Sequence, residues 1–193
     1  MKNAIFLILM ILIFSFSSFP QNKKKQKAKL NEDNYFAPTL TAEEISRRVL
    51  KLIESIDALD KISPKNLEKI IGGKVDFNEN DRNSYGYAGK IADSEWFYQI
   101  FSLTELKGET VRRLEFSFER QDDKENDLTP VCEFSFEDYK KELTKMPFTV
   151  TPYYGEHGRF LYWHFEKNSV QVDLRTYKNN SKECVKTAWI QIL

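Results

Sequence analysis

Val111-Arg112-Arg113-Leu114-Glu115-Phe116-Ser117-Phe118-Glu119-Arg120 alternates with a period of two: Leu114, Phe116 and Phe118 fall on one side, Arg113, Glu115, Ser117 and Glu119 on the other. A β-strand sends successive side chains to opposite faces, so this stretch predicts a strand with one dry and one wet face. Tyr85–Ile91 and Trp96–Leu103 precede it with the same period and read as its antiparallel neighbours. After a polar turn at Asp122–Asp127, three more strands are predicted at about Arg159–Glu166, Ser169–Tyr177 and Val185–Leu193. Lys167-Asn168 suits a tight turn between two of them, and Lys178–Lys182 a longer one.

Helices are announced by their ends. In Leu40-Thr41-Ala42-Glu43-Glu44-Ile45, Thr41 is placed to cap, Glu44 to close a capping box, and Leu40 to staple against Ile45. Ile45, Val49, Leu52, Ile53 and Ile56 then recur at helical spacing. Ser63-Pro64 opens a second, shorter helix with Leu67, Ile70 and Ile71 on its apolar side, and Gly72-Gly73 stops it. Phe134-Ser135-Phe136-Glu137-Asp138-Tyr139 repeats the staple-and-cap logic for a third helix with Phe136, Tyr139, Leu143 and Met146 inward, ended by Pro147. The expected fold is therefore α+β: an N-terminal helical hairpin and a third helix packed on one face of an antiparallel sheet of about six strands. The order α-α-β-β-β then α-β-β-β has the form of a degenerate repeat, although residue identity between the halves does not establish one.

Ahead of the domain, predicted over 39–193, two segments of different character stand in line. Lys2, the apolar run Ala4–Phe14 and the small residues of Ser15-Phe16-Ser17 read as a signal peptide over 1–17. Its apolar core is shorter than the roughly 20 residues of a membrane helix. Residues 18–38 read as a flexible Lys-rich linker, with five lysines between Lys23 and Lys29. The expectation is an exported chain, periplasmic or secreted; the alternative is membrane anchorage by the N-terminal segment. No cysteine lies near the cleavage point, which removes a lipoprotein anchor. Cys132 and Cys184 are the only cysteines, and in an exported chain they predict one disulfide, pinning the third helix to the sheet edge.

Chemistry is sparse. The chain balances 29 basic against 29 acidic residues, which argues against nucleic acid as partner. Membrane contact is expected only through the leader or the Lys23–Lys29 arm. His157 and His164 are the only histidines, and a spacing of seven suits neither a helical nor a strand ligand pair, so no metal and no cofactor are expected. Glu156-His157 on a glycine-flanked turn is the one candidate for a general base, and no activated nucleophile accompanies it. Gly72-Gly73-Lys74 follows a helix instead of a strand and lacks the rest of a phosphate loop. Asp76–Asp81 alternates oxygen ligands like a calcium loop but has neither the sixth-position glycine nor the twelfth-position glutamate. Asn179-Asn180-Ser181 fits a glycosylation acceptor, a common chance match.

What remains is the sheet surface. Gln171, Asp173, Arg175 and Tyr177 share one face of their strand, and Tyr162, His164 and Glu166 one face of the preceding strand. Trp96 and Tyr98 hold a similar position earlier, with Trp189 in the last strand. Tyrosine, tryptophan and arginine dominate the energetics of protein-recognition surfaces. The candidate binding residues are accordingly Tyr162, His164, Arg175, Tyr177, Asp173, Trp96 and Tyr98, aided by the loop at Tyr153–Arg159. In architecture alone, the chain looks broadly like small periplasmic inhibitor and immunity-type proteins. The missing catalytic constellation and the aromatic-rich strands point to a non-enzymatic exported domain that holds a protein partner. Two other classes are an envelope-associated structural factor tethered by an uncleaved leader, and a small hydrolase using His157 and Glu156.

Overall fold

The computed structural model describes residues 37–79, 81–106, 109–120 and 127–193. The expected signal peptide over 1–17, the expected linker up to residue 36 and the expected polar turn at 121–126 lie outside the described residues. Ala37 and Pro38, assigned to the linker by composition, belong to the fold: Ala37 is buried, and the Tyr98 hydroxyl donates to the Pro38 carbonyl at 2.8 Å.

Helix α1 spans Ala42–Ser55 and begins as its sequence requires. The Glu44 N–H donates to the Thr41 hydroxyl at 3.1 Å, and the Thr41 N–H donates to the Glu44 carboxylate at 2.9 Å, so two otherwise orphaned amides are satisfied. Ile45, Val49, Leu52 and Ile53 form its buried stripe. A 3-10 turn at Leu59–Lys61 leads to α2, Pro64–Ile71. The expected hairpin is thus a long helix, a separate turn and a helix of only eight residues. Ser63 occupies the N-cap position without a side-chain hydrogen bond, and Pro64 opens the first turn. Gly72 takes φ +89° at the C-terminal end, a left-handed conformation suited to glycine, and a Cβ there would meet the Arg48 guanidinium. That guanidinium donates to the Ile71 carbonyl and so satisfies a helix-end acceptor.

Helix α3 spans Phe136–Lys145 and is capped by Ser135, whose hydroxyl accepts from the Asp138 N–H at 3.3 Å while the Ser135 N–H donates to Asp138 Oδ2 at 2.9 Å. The Ser135 hydroxyl donates in turn to the same carboxylate at 2.6 Å and holds the Asp138 carboxyl below its usual range. Because its folded pKa is lowered, Asp138 adds stability above the unfolded value of about 3.9, and that stability is lost as pH falls through the folded value. Ser135→Ala is expected to cost about 1 kcal/mol at pH 7. The melting-temperature gap between wild type and Asp138→Asn is expected to narrow between pH 5 and pH 2 as the native carboxylate is protonated. A gap independent of pH would show that the carboxylate's charge contributes nothing to the cap.

The sheet has eight antiparallel strands, not about six: β1 Asp76–Asn78, β2 Asp81–Lys90, β3 Trp96–Leu106, β4 Glu109–Arg120, β5 Thr149–Tyr154, β6 Phe160–Lys167, β7 Val170–Asn179 and β8 Lys182–Ile192. Their order is β1-β2-β3-β4-β8-β7-β6-β5. Each half is therefore a four-stranded meander preceded by helix, and the two meanders join through their last strands, β4 and β8. The two strands missing from the sequence reading are the two edges. β1 is three exposed residues long. β5 is almost wholly exposed and contains Pro152, a residue tolerated on an edge because its missing N–H breaks no ladder.

Cross-strand register assigns the faces. Ile100, Phe116, Ala188 and Leu174 follow one another across β3, β4, β8 and β7 on the side the helices cover, with Phe165 and Val172 beside them. Cys132 and Cys184 form the expected disulfide, with Cα atoms 5.0 Å apart. Its anchorage differs from the expectation, because β8 lies in the middle of the sheet. The β4–β8 ladder ends at Ser117 and Thr187, and Ser135 makes an isolated bridge to Cys184. The disulfide fastens the entry to α3 onto a central strand.

Candidate functional site

Register also defines the opposite face, against which no described helix packs. Thr151, His164, Asp173, Trp189, Glu115 and Phe101 are successive partners from β5 to β3 and form a transverse row across it. Trp189 sits where the two meanders meet. The Arg175 guanidinium lies 4.0 Å and that of Arg113 4.7 Å from its ring centroid, one from each half of the chain. Cation–π contacts of this kind hold the long arginine side chains in one geometry. The Tyr162 ring meets Trp189 edge-on at 6.5 Å and stacks on Tyr153 at 4.7 Å with the planes 8° apart. Burial, together with the charge of Asp173, pushes the Tyr162 hydroxyl above its ordinary value, so it stays protonated.

Beside this aromatic row lies an imidazole–carboxylate pair. His164 Nδ1 is 2.6 Å from Asp173 Oδ1, and its Nε2 is 3.8 Å from Glu166 Oε2. Burial pushes the Asp173 carboxyl up, and the hydrogen bond and charge of His164 pull it back only in part. Both ring nitrogens thus face carboxylates, an arrangement that orients the ring and ties β6 to β7. Among the described residues no group of three or more His, Cys, Asp or Glu side chains is placed to hold a metal ion. Gln191 donates to Gln171 at 2.8 Å across β8 and β7, and Arg113 pairs with Glu115 at 3.6 Å along β4.

The seven residues singled out from sequence divide. Tyr162, His164, Asp173 and Arg175 come together on the open face as the alternation implied. Tyr177 lies beyond an irregularity in the β7–β8 register after Arg175, exposed, with the Lys186 ammonium 5.6 Å from its ring centroid. Trp96 and Tyr98 lie on the other side. They are 1% and 0% exposed and belong to the core, where Tyr98 packs against Gly89 of β2. The reason is parity. In β3 the alternate set Phe97, Phe101 and Leu103 is also apolar, and only the register against Phe118 and Phe116 decides which set the helices cover.

A further part of the surface was legible only as a loop. The β5–β6 hairpin carries Tyr153, Tyr154 and Phe160, which are 51%, 55% and 36% exposed, and Phe160 lines a cleft with Tyr177, 49% exposed. Tyr154 and Phe160 pack edge to face at 5.9 Å. Exposed aromatic clusters of this kind mark interaction surfaces. His157 and Glu156 occupy the exposed 3-10 turn at the hairpin tip, with His157 at φ +59°. His157 and His164 are on separate elements, β6's open face holding one and the tip the other. Family models, curated proteins and solved structures were all compared with this chain, and none matches it.

Proposed function

We propose that this chain is an exported, non-enzymatic domain that holds a protein partner against the open face of its sheet. The observation that carries the reading is the row of Tyr153, Tyr162 and Trp189 braced by Arg113 and Arg175 on the face opposite the helices. Rings and guanidiniums already held by neighbours lose little side-chain entropy on binding, which is what distinguishes energetic anchors from other surface residues. A flat, rigid strand surface also suits a protein better than a small ligand, which needs a concave site. The disulfide supports export, since such bonds persist in oxidising compartments. No helix among the described residues is long and apolar enough to cross a membrane.

The test is partner affinity. A partner purified from the envelope or medium of the host on the immobilised chain would be titrated against Tyr162→Ala, Arg175→Ala and Tyr177→Ala. Each substitution is expected to weaken binding about tenfold or more, with the melting temperature of the domain little changed. Unchanged affinity in all three variants would refute the assignment of the open face. A retained leader, read from intact mass of the native chain, would favour the tethered envelope factor instead.

A further inference from the structure

Arg159 and Arg175 stand apart from the other arginines whose side chains are described. Arg47 pairs with Glu43 at 2.7 Å, Arg113 with Glu115, and Arg48 is spent on the Ile71 carbonyl. Arg159 and Arg175 are exposed and neither is ion-paired. Both line one cleft of about 280 Å³ between β6 and β7, with Phe160, Leu161, Thr176 and Tyr177 as its other walls. Asp173, a carboxyl that feels the Arg175 charge, is engaged by His164 at 2.6 Å.

Resting on the protein-binding reading above, we propose that this cleft receives a carboxylate side chain from an acidic segment of the protein partner. A guanidinium presents five N–H donors in a planar fork that matches a carboxylate, and two arginines line this one cleft. Arg175 is held in place, because its guanidinium carbon lies 4.0 Å from the Trp189 ring centroid while the residue as a whole stays exposed. Tyr177 and Phe160 shield such a pair from water, and partial desolvation is what makes an ion pair count. An anionic membrane surface would be repelled by Glu156 in the turn at the tip and by Glu166 on β6.

The experiment is a titration of the disulfide-bonded chain, as recovered from its host, followed through its arginine Nε–Hε resonances. The probes are the tetrapeptides acetyl-EEYE-amide and acetyl-QQYQ-amide, inorganic sulfate, and vesicles containing 30% phosphatidylglycerol. The acidic peptide is expected to shift Arg159 and Arg175 saturably, with at least tenfold weaker binding by the glutamine peptide and loss of the response in Arg159→Glu. Equal responses to the two peptides, no response at millimolar peptide, or a response to sulfate or vesicles alone would overturn the proposal. The purified partner separates this proposal from the reading beneath it. If Tyr162→Ala weakens the partner and Arg159→Glu does not, the open face stands and the carboxylate cleft falls; if neither does, both fall.

Discussion

Replacing Cys132 and Cys184 together by alanine is expected to remove about 4 kcal/mol from the unfolding free energy, a substantial share of the roughly 5–15 kcal/mol a domain typically has. The figure follows from the 52 residues that separate the two cysteines, because a cross-link of that span removes loop-closure freedom from the unfolded chain. The native side reinforces it. Both cysteines are buried, and the alanines leave space between the entry to α3 and the start of β8 where the fold cannot easily collapse. Urea unfolding of the oxidised chain, the reduced chain and the double variant measures the effect. Coincident midpoints for all three would show that the bond is dispensable. A reduced wild type as unstable as the double variant would assign the loss to the cross-link itself.

Phe116→Ala is expected to cost 3–5 kcal/mol, the usual range for truncating a fully buried phenylalanine. Phe116 stands at the join of the two meanders, paired with Ile100 on β3 and Ala188 on β8, and its ring meets Phe118 edge to face at 4.9 Å. Ala188 opposite has no side chain to swing into the space, so the cavity stays open. Phe116→Leu keeps most of the volume and is expected to cost under about 1.5 kcal/mol. Equilibrium unfolding of both variants checks the pair. A Phe116→Ala loss under 1 kcal/mol would mean that the two halves are held together elsewhere, and the β4–β8 ladder with the disulfide would be the place to look.

These two effects concern the scaffold, and the open face depends on them. Arg113 comes from β4 and Arg175 from β7, so the bracket around Trp189 exists only while the two meanders stay in register. A variant that loosens the join should therefore weaken partner binding before it unfolds the chain. Surface variants at Tyr162 or Tyr177 should do the reverse, lowering affinity with stability retained. This contrast separates loss of binding through the scaffold from loss at the contact.

By itself the sequence determined what rests on near neighbours in the chain. Both capping boxes, at Thr41 with Glu44 and at Ser135 with Asp138, were legible because their partners are three residues apart. The α+β class and the alternation of β4 were legible because periodicity is local. The cysteine pair was legible by number and compartment. Tertiary structure alone decided the rest, because it turns on pairing between distant segments. β1 and β5 carry too little apolar alternation to be seen as strands until β2 and β6 are there to bond them. Alternation in β3 separated Trp96 and Tyr98 from Phe97 and Phe101, yet both sets are apolar, and a one-residue change of register would exchange them. Only the ladder to β4 placed Trp96 and Tyr98 under the helices and left the open face to Trp189, Tyr162 and the two arginines around them.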